Sequence, residues 1–103
     1  MSVQETEYLS IGNQLKAEQS QMFGKPCFKV NKKAFICFFQ DSMVFKLEGT
    51  AHAEALNLKD SKLFNPSGKG RAMKAWVQVS FEHKDRWNDL AKLALDFVKN
   101  LKK

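Results

Sequence analysis

The chain has 103 residues, 44% of them hydrophobic and 12% aromatic, and carries 17 Lys and Arg against 11 Asp and Glu, a formal net charge of +6. This length and composition predict one folded domain over residues 1–103 and exclude an intrinsically disordered chain. No apolar run approaches the roughly 20 residues that a membrane span needs, and the polar first residues are unlike a signal peptide, so we expect a cytoplasmic protein with no membrane partner.

Residues 6–16 predict a first helix. Tyr8, Ile11 and Leu15 recur at intervals of three and four and give one apolar face. Gly12 weakens this helix by about 1 kcal/mol relative to alanine.

The following stretch, QMFGKPCFKVN, changes to the alternation of a strand. Two pairs share a face each: Phe28 with Val30, and Cys27 with Lys29. Gly24 and Pro26 interrupt the run, and proline cannot donate a ladder hydrogen bond, which predicts one bulged strand with its break near Gly24. Residues 31–32 predict a polar hairpin turn.

Residues 34–39, AFICFF, are apolar on both faces, which predicts a central strand covered on both sides. Alternation predicts two faces: Phe35, Cys37 and Phe39 on one, and Ala34, Ile36 and Phe38 on the other. We expect Phe35 and Phe38 to be mostly buried. After a turn at residues 41–42, MVFKL completes a three-strand meander whose faces are Met43, Phe45 and Leu47, and Val44 and Lys46.

The second half of the chain predicts a short helix from residue 49, with Thr50 as its N-cap. SKLF and WVQV predict the fourth and fifth strands, and residues 84–103 predict the last helix. An apolar stripe marks that helix: Trp87, Leu90, Ala91, Ala94, Phe97, Val98 and Leu101. The order α-β-β-β-α-β-β-α predicts an α+β domain with a single antiparallel sheet.

The residues that could carry catalysis or bind a metal form no recognisable pattern. Cys27 and Cys37 lack CxxC or zinc spacing, and their apolar surroundings favour buried free thiols in a reducing cytoplasm over a disulfide. His52 and His83 have no second ligand at metal spacing. A Cys–His nucleophile pair requires a proximity that the sequence does not show. We expect no catalytic residue, no cofactor and no metal, and therefore no enzyme.

Two basic stretches dominate the charge pattern. Residues 25–33 and 62–74 each carry four basic residues and no acid. They suit an anion, an acidic protein surface or a phosphate backbone, or they are solubilising loops.

The second basic stretch overlaps the segment NPSGKGRAMKAW, which is no Walker A loop, because Arg71 stands where that motif needs Lys followed by Ser or Thr. We expect an exposed loop between the fourth and fifth strands. The phenylalanines suit a stacking platform for single-stranded nucleic acid or, preferably, a core.

Four segments resemble the TfoX N-terminal domain family and the neighbouring YjbR-like proteins: MFG at 22–24, FKVNKKAF at 28–35, MVFKL at 43–47 and WVQV at 76–79. The resemblance covers nearly the whole chain and implies a secretion-chaperone-like fold in a small cytoplasmic bacterial protein. Two differences stand out. KPC follows MFG where many relatives have a glycine and an aromatic, and the full-length competence regulators carry a second helical domain, whereas this sequence ends after its last helix. We expect the fold to transfer better than the regulatory role.

Together these patterns predict a non-catalytic binding or regulatory module of TfoX N-terminal-like type. Its candidate surface comprises Gly24, Lys25, Pro26, Lys69, Arg71, Lys74 and Trp76. These residues converge if the MFGKP segment and the basic loop lie at the same end of the sheet. The alternative is a nucleic-acid-binding protein that uses residues 25–33 and 62–74. A homodimer and a protein or anionic partner are further expectations, since an open sheet edge invites pairing.

Overall fold

The computed structural model describes residues 2–22, 25–64 and 73–100; of residues 22, 73 and 74 it describes the backbone alone. The elements in this part of the chain are α1 (Val3–Gln14), β1 (Glu18–Met22), β2 (Lys25–Val30), β3 (Lys33–Phe39), β4 (Ser42–Lys46), α2 (Gly49–Asn57), β5 (Lys62–Phe64), β6 (Met73–Val79), a 3₁₀ turn (Phe81–His83) and α3 (Lys84–Lys99). The strands form one antiparallel sheet in the order β1-β2-β3-β4-β6-β5. The predicted α+β class with a single antiparallel sheet is confirmed.

The predicted element order lacks one strand. The single bulged strand with a break near Gly24 is wrong, because β1 and β2 are two antiparallel strands in which Glu18 lies opposite Lys29. β1 is an outer strand and pairs on one side only. Its sequence, EQSQ, is polar at every position, so it has no apolar alternation from which a strand could be predicted.

β3 lies between β2 and β4 near the middle of the sheet, as predicted. The pairing shifts register between Phe28 and Lys29, so that Phe28 lies opposite Ile36 and Lys29 opposite Ala34. This β-bulge leaves Phe35 as the extra residue. Phe35 is fully buried and Phe38 is partly buried.

The bulge overturns the predicted faces of β3. Phe35, Ile36 and Phe38 share one apolar cluster, and Ala34, Cys37 and Phe39 contact another. The extra residue shifts the phase of the alternation by one position at the start of the strand, so Ala34 and Phe35 exchange faces relative to the prediction.

The two turns of the central meander have positive φ at both positions, as a type I′ hairpin requires. Asn31 and Lys32, with φ of 51° and 68°, form the first turn as predicted. The second turn lies at Gln40 and Asp41, with φ of 50° and 61°, one residue before the predicted position. Ser42 pairs with Phe39 and so closes the hairpin as the first residue of β4.

All three described helices pack on the same face of the sheet. One cluster of buried side chains joins Tyr8 and Ile11 of α1 and Ala55 of α2 to the stripe of α3. The stripe residues that are buried there are Trp87, Leu90, Ala91, Ala94 and Val98. The sheet contributes mainly Phe28, Phe35, Ile36, Met43, Phe45, Val77 and Val79 to this cluster. The domain therefore has a helical layer and a sheet layer.

The helices α2 and α3 begin at residues 49 and 84, as predicted, whereas the start of α1 and the N-cap of α2 differ from the prediction. α1 begins at Val3, where the Oγ of the N-cap Ser2 accepts a hydrogen bond of 3.0 Å from the Glu5 backbone N–H. Its first turn is polar and gave no periodic signal. Thr50 is not an N-cap, because α2 begins at Gly49, whose φ of 60° suits glycine, and Glu48 takes the cap position.

Gly12 is the point at which α1 approaches the sheet most closely. A Cβ atom at this position would overlap the ring of Phe28, and the neighbouring Tyr8 ring lies 5.1 Å from that ring between centroids. Glycine at position 12 therefore lets α1 lie against β2, which offsets its low helix propensity.

Gly12→Ala should lower the free energy of unfolding by about 1–2 kcal/mol. Overpacking a core costs about 1–3 kcal/mol, toward the upper end here because the added Cβ overlaps the Phe28 ring, and alanine returns about 1 kcal/mol of helix propensity. Chemical denaturation measures it. Ser10→Ala, on the exposed side of the same helix, is the matched control and should change stability by less than about 0.5 kcal/mol. Equal stability of Gly12→Ala and the natural protein would contradict this expectation and show that the Phe28 ring moves away from the added Cβ without a net cost.

Tyr8→Phe should stabilise the domain. The Tyr8 hydroxyl is buried and has no hydrogen-bond partner among the described residues, and such a group costs about 1–3 kcal/mol. Burial also raises the pKa of Tyr8 above its ordinary value of 10.0. The unfolded chain therefore loses this proton first as pH rises, and stability falls above pH 10 by about 1.4 kcal/mol per pH unit.

Denaturation of both proteins from neutral to alkaline pH measures this difference. The advantage of Tyr8→Phe should be present at pH 7 and should widen above pH 10, because phenylalanine has no proton to lose. A difference that stays constant with pH contradicts the expected ionisation behaviour.

Candidate functional site

A second cluster of buried side chains lies on the face of the sheet opposite the helices. It consists of strand residues alone: Cys27, Cys37, Val44, Phe64 and Trp76, with Ala34, Phe39 and Ala75 packed against them. We call this side the helix-free face, because no side chain of a described helix belongs to its cluster.

Aromatic rings shield the centre of the helix-free face. The Phe64 ring lies 5.2 Å from Phe39 in an edge-to-face arrangement and 6.4 Å from Trp76, between centroids. Phe39 is on β3 and Trp76 on β6, so the Phe64 ring extends across β4, which lies between them. Leu63 pairs with Val77 of the helix-side cluster, so alternation places Phe64 on the opposite face, and Phe64 stays paired with Met73 after the register shift that follows Leu63.

Four lysines lie on the helix-free face by strand alternation: Lys25, Lys29, Lys46 and Lys62. The first two are two residues from Cys27 on either side, and Lys46 is two residues from Val44. Within the six described strands the one acidic residue is Glu18, opposite Lys29. This face is therefore strongly positive.

Two of these lysines lie over the aromatic rings. The Lys25 Nζ is 5.2 Å from the centroid of Phe39, and the Lys46 Nζ is 6.0 Å from the centroid of Trp76. Cation–π contacts of this kind contribute about 0.5–1 kcal/mol at exposed sites. Their aliphatic stems cover apolar surface while the ammonium groups stay in water. The charges are thus held at the rim of the aromatic cluster.

The structure brings two of the predicted site residues, Lys25 and Trp76, to the same face. Trp76 is 4% exposed and belongs to the buried cluster. Pro26 is exposed, and alternation places it on the opposite face from Lys25. Lys74 lies in β6, and its side chain is not described. Three predicted residues lie outside the described part of the chain: Gly24, Lys69 and Arg71.

Lys25 and the residues that flank the predicted basic loop lie at different ends of the sheet. Lys25 begins β2 at the end where Met43 of β4 pairs with Val79 of β6. Phe64 ends β5 and Met73 begins β6 at the other end, which is also the end of Lys46. Lys29 and the turn at residues 31–32 lie at that second end. The predicted exposed loop itself, residues 65–72, lies outside the described part of the chain.

Lys46, Phe39 and Phe64 were not among the predicted site residues, whereas Lys29 and Lys62 belong to the basic stretches 25–33 and 62–74 of the alternative prediction. Alternation already placed Lys29 with Cys27, and Lys46 with Val44, which was the available signal for the lysines. Alternation likewise puts Phe64 on the same face as Lys62, whereas the contact of its ring with Phe39 on β3 had no signal in the sequence.

Cys27 and Cys37 are free and buried, as predicted. They lie directly opposite each other on β2 and β3, and their thiols are hydrogen-bonded. Burial raises the pKa of both thiols; for Cys27 the nearby Lys29 ammonium and the hydrogen bond from Cys37 act in the other direction. Neither thiol has the lowered pKa of an activated nucleophile.

A Cys–His nucleophile pair needs a histidine beside the thiol. The groups that shift the pKa of Cys27 include no histidine. The His83 Nε2 lies 2.8 Å from the backbone carbonyl oxygen of Lys59. A carbonyl can only accept, so Nε2–H donates and His83 joins the start of α3 to the segment after α2. Among the described residues, no three His, Cys, Asp or Glu side chains are grouped so as to hold a metal ion.

A groove of about 340 Å³ lies in the helical layer, away from the lysines. Its lining residues are Leu47, Glu48, Ala51, Leu93, Asp96, Phe97 and Asn100. Two of them are carboxylates, and none is a predicted site residue. The groove therefore differs in charge from the helix-free face.

In the described part of the chain, every helix is too short or too polar to span a bilayer. Comparison of the chain with models of known protein families, with curated proteins and with solved structures found no match. The arguments on function therefore rest on the geometry of the described residues.

Proposed function

We propose that this chain is a non-catalytic binding module that takes an anionic partner, an acidic protein segment, on its helix-free face. One observation carries the proposal: four lysines and a single glutamate surround an aromatic cluster on the side of the sheet that no described helix covers. A concentration of one charge sign attracts and orients the opposite sign.

The lysines are suited to this role because their stems are partly immobilised. Lys25, Lys29 and Lys46 are partly buried, and two of them contact ring faces. Less side-chain entropy is then lost when they bind a carboxylate. A hydrogen bond to a charged group typically contributes about 1.5–3 kcal/mol.

The burial of the rings favours an acidic protein segment over a stacking platform. Phe64 is fully buried and Trp76 is 4% exposed. Bases of a single strand stack on exposed aromatic faces, and these two faces are not accessible. Binding on this face therefore depends on charge rather than on stacking.

Nucleic acid is the second candidate partner, with contacts to phosphates through residues 25–33 and 62–74. The position of Lys29 and Lys46 favours it, because both lie at the sheet end where β5 ends at Phe64 and β6 begins at Met73. The sequence between these two residues contains Lys69 and Arg71. A phosphate backbone that follows the end of the sheet suits this arrangement.

We also propose that the chain is a TfoX N-terminal-like, secretion-chaperone-like domain of a cytoplasmic bacterial protein. Three of the resembling segments support it, because residues 28–35 form the β2–β3 hairpin and residues 43–47 and 76–79 form or adjoin the paired strands β4 and β6. Two free thiols support a reducing compartment.

A homodimer remains a prediction. β1 and β5 are the outer strands of the sheet, and the free edge of an outer strand can pair with a second copy. Sedimentation at micromolar concentration should give twice the chain mass. A mass near 11.8 kDa would refute the dimer.

Lys29→Gln/Lys46→Gln should weaken binding to the helix-free face. Glutamine keeps part of each stem and removes the charge, so the aromatic cluster stays covered. Fluorescence anisotropy with a labelled oligoglutamate peptide, at low and physiological salt, should show a loss of at least about tenfold in affinity. Lys92→Gln/Lys99→Gln, exposed on α3, makes the same change of charge and should bind like the natural protein.

A single-stranded oligonucleotide of equal charge separates the two partners. Preference for the oligonucleotide, with a salt slope that decreases by about 1.4 in the double variant, supports nucleic acid instead. Equal losses in both double variants show that net charge alone attracts the probes, and this result contradicts a site on the helix-free face.

A further inference from the structure

Cys27 and Cys37 have the geometry of a pair that can be joined. They occupy directly opposite positions on the antiparallel strands β2 and β3. Opposite residues of such strands have Cα atoms about 4.5–5.5 Å apart, and disulfides span Cα distances of about 4.4–6.8 Å. Both side chains belong to the buried cluster of the helix-free face, so they lie on the same side of the sheet, and the Cys27–Cys37 hydrogen bond that contributes to their pKa shifts agrees with this proximity.

We propose that Cys27 and Cys37 form an oxidisable dithiol that exchanges with low-molecular-weight disulfides to give a cross-strand disulfide. The Cys27 thiolate attacks one sulfur of the small disulfide and releases one small thiolate. The Cys37 thiolate then attacks the Cys27 sulfur of the mixed disulfide and releases the second. Both small thiolates take up the protons that the cysteines lose, so the protein dithiol is oxidised and the small disulfide is reduced to two thiols.

Cys27 is the attacking thiol and Cys37 the resolving thiol. The positive charge of Lys29 and the S–H that Cys37 donates both favour the Cys27 thiolate. Cys37 lacks such support, and burial raises its pKa strongly. Once Cys27 is in a mixed disulfide, Cys37 is already beside it, so the second step proceeds within the protein.

Access to the pair depends on the Phe64 ring. Cys27 is 1% exposed and Cys37 is fully buried, and both belong to the cluster that this ring crosses. Phe64 ends the shortest described strand, at the outside of the sheet. Short outer elements open most readily, so the exchange rate reports how often Phe64 leaves the face. This inference does not depend on the proposed anionic partner.

Exchange with oxidised glutathione under native conditions tests the dithiol. After acid quenching, intact-mass measurement should show that the natural protein loses the mass of two hydrogen atoms. Cys37→Ser should instead retain one glutathionyl group on Cys27, because it has no resolving thiol. Cys27→Ser should remain unmodified over the same time. A natural protein that retains the mixed disulfide overturns the proposal.

An equilibrium measurement tests how well the Cys27–Cys37 disulfide fits the fold, independently of how fast glutathione reaches the two thiols. In glutathione redox buffers, the equilibrium constant for the intramolecular disulfide should be about 30-fold or more larger in the native protein than in denaturant, as expected for a disulfide that fits its fold. An equal or smaller constant in the native protein overturns the proposal.

Phe64→Ala should reach the same oxidised product faster, whereas slower or unchanged exchange contradicts the role of Phe64 in access.

Discussion

The sheet has two faces to protect from water, and the described helices cover only one of them. Because β3 is apolar on both sides, the second face must be shielded as well, and the described side chains in its cluster all come from the strands themselves. Phe64 does this from the outermost strand, and the stems of Lys25 and Lys46 extend over the neighbouring rings. The positive, helix-free face is a consequence of this arrangement, since residues that shield apolar surface from the water side carry their polar ends outward.

Two register shifts lie beside phenylalanines of the two faces. The shift between Phe28 and Lys29 turns Phe35 toward the helices beside Ile36, and the core gains a fully buried ring. The shift after Leu63 lies at the sheet edge, where Phe64 pairs with Met73 and its ring belongs to the cluster of the helix-free face. Irregular pairing costs ladder hydrogen bonds; here each irregularity is associated with the burial of a phenylalanine.

The sequence predicted the elements whose periodicity reflects their packing and failed where packing depends on long-range pairing. β4 alternates between two different environments, so the faces of Met43 and Val44 were predicted correctly. Glu18 and its neighbours in β1 have one paired side and no apolar pattern, so that strand was missed. The lysines of the site and the face of Phe64 follow from alternation, whereas the contact of the Phe64 ring with Phe39 depends on strand pairing that no local pattern encodes. Gly12 was interpreted as a weak point of α1 because the ring that requires it is on another element.

The two proposals for the helix-free face meet at Lys29. It is one of the four lysines of the proposed anion-binding surface, and its positive charge also favours the thiolate of Cys27. A bound carboxylate beside Lys29 would offset that field, so occupancy of the face would slow the first exchange step without changing the distance between the thiols. Disulfide formation, in contrast, leaves every lysine charge in place and joins two strands that are already paired. Coupling through Lys29 is therefore electrostatic, and it falls with ionic strength more steeply than a coupling through packing.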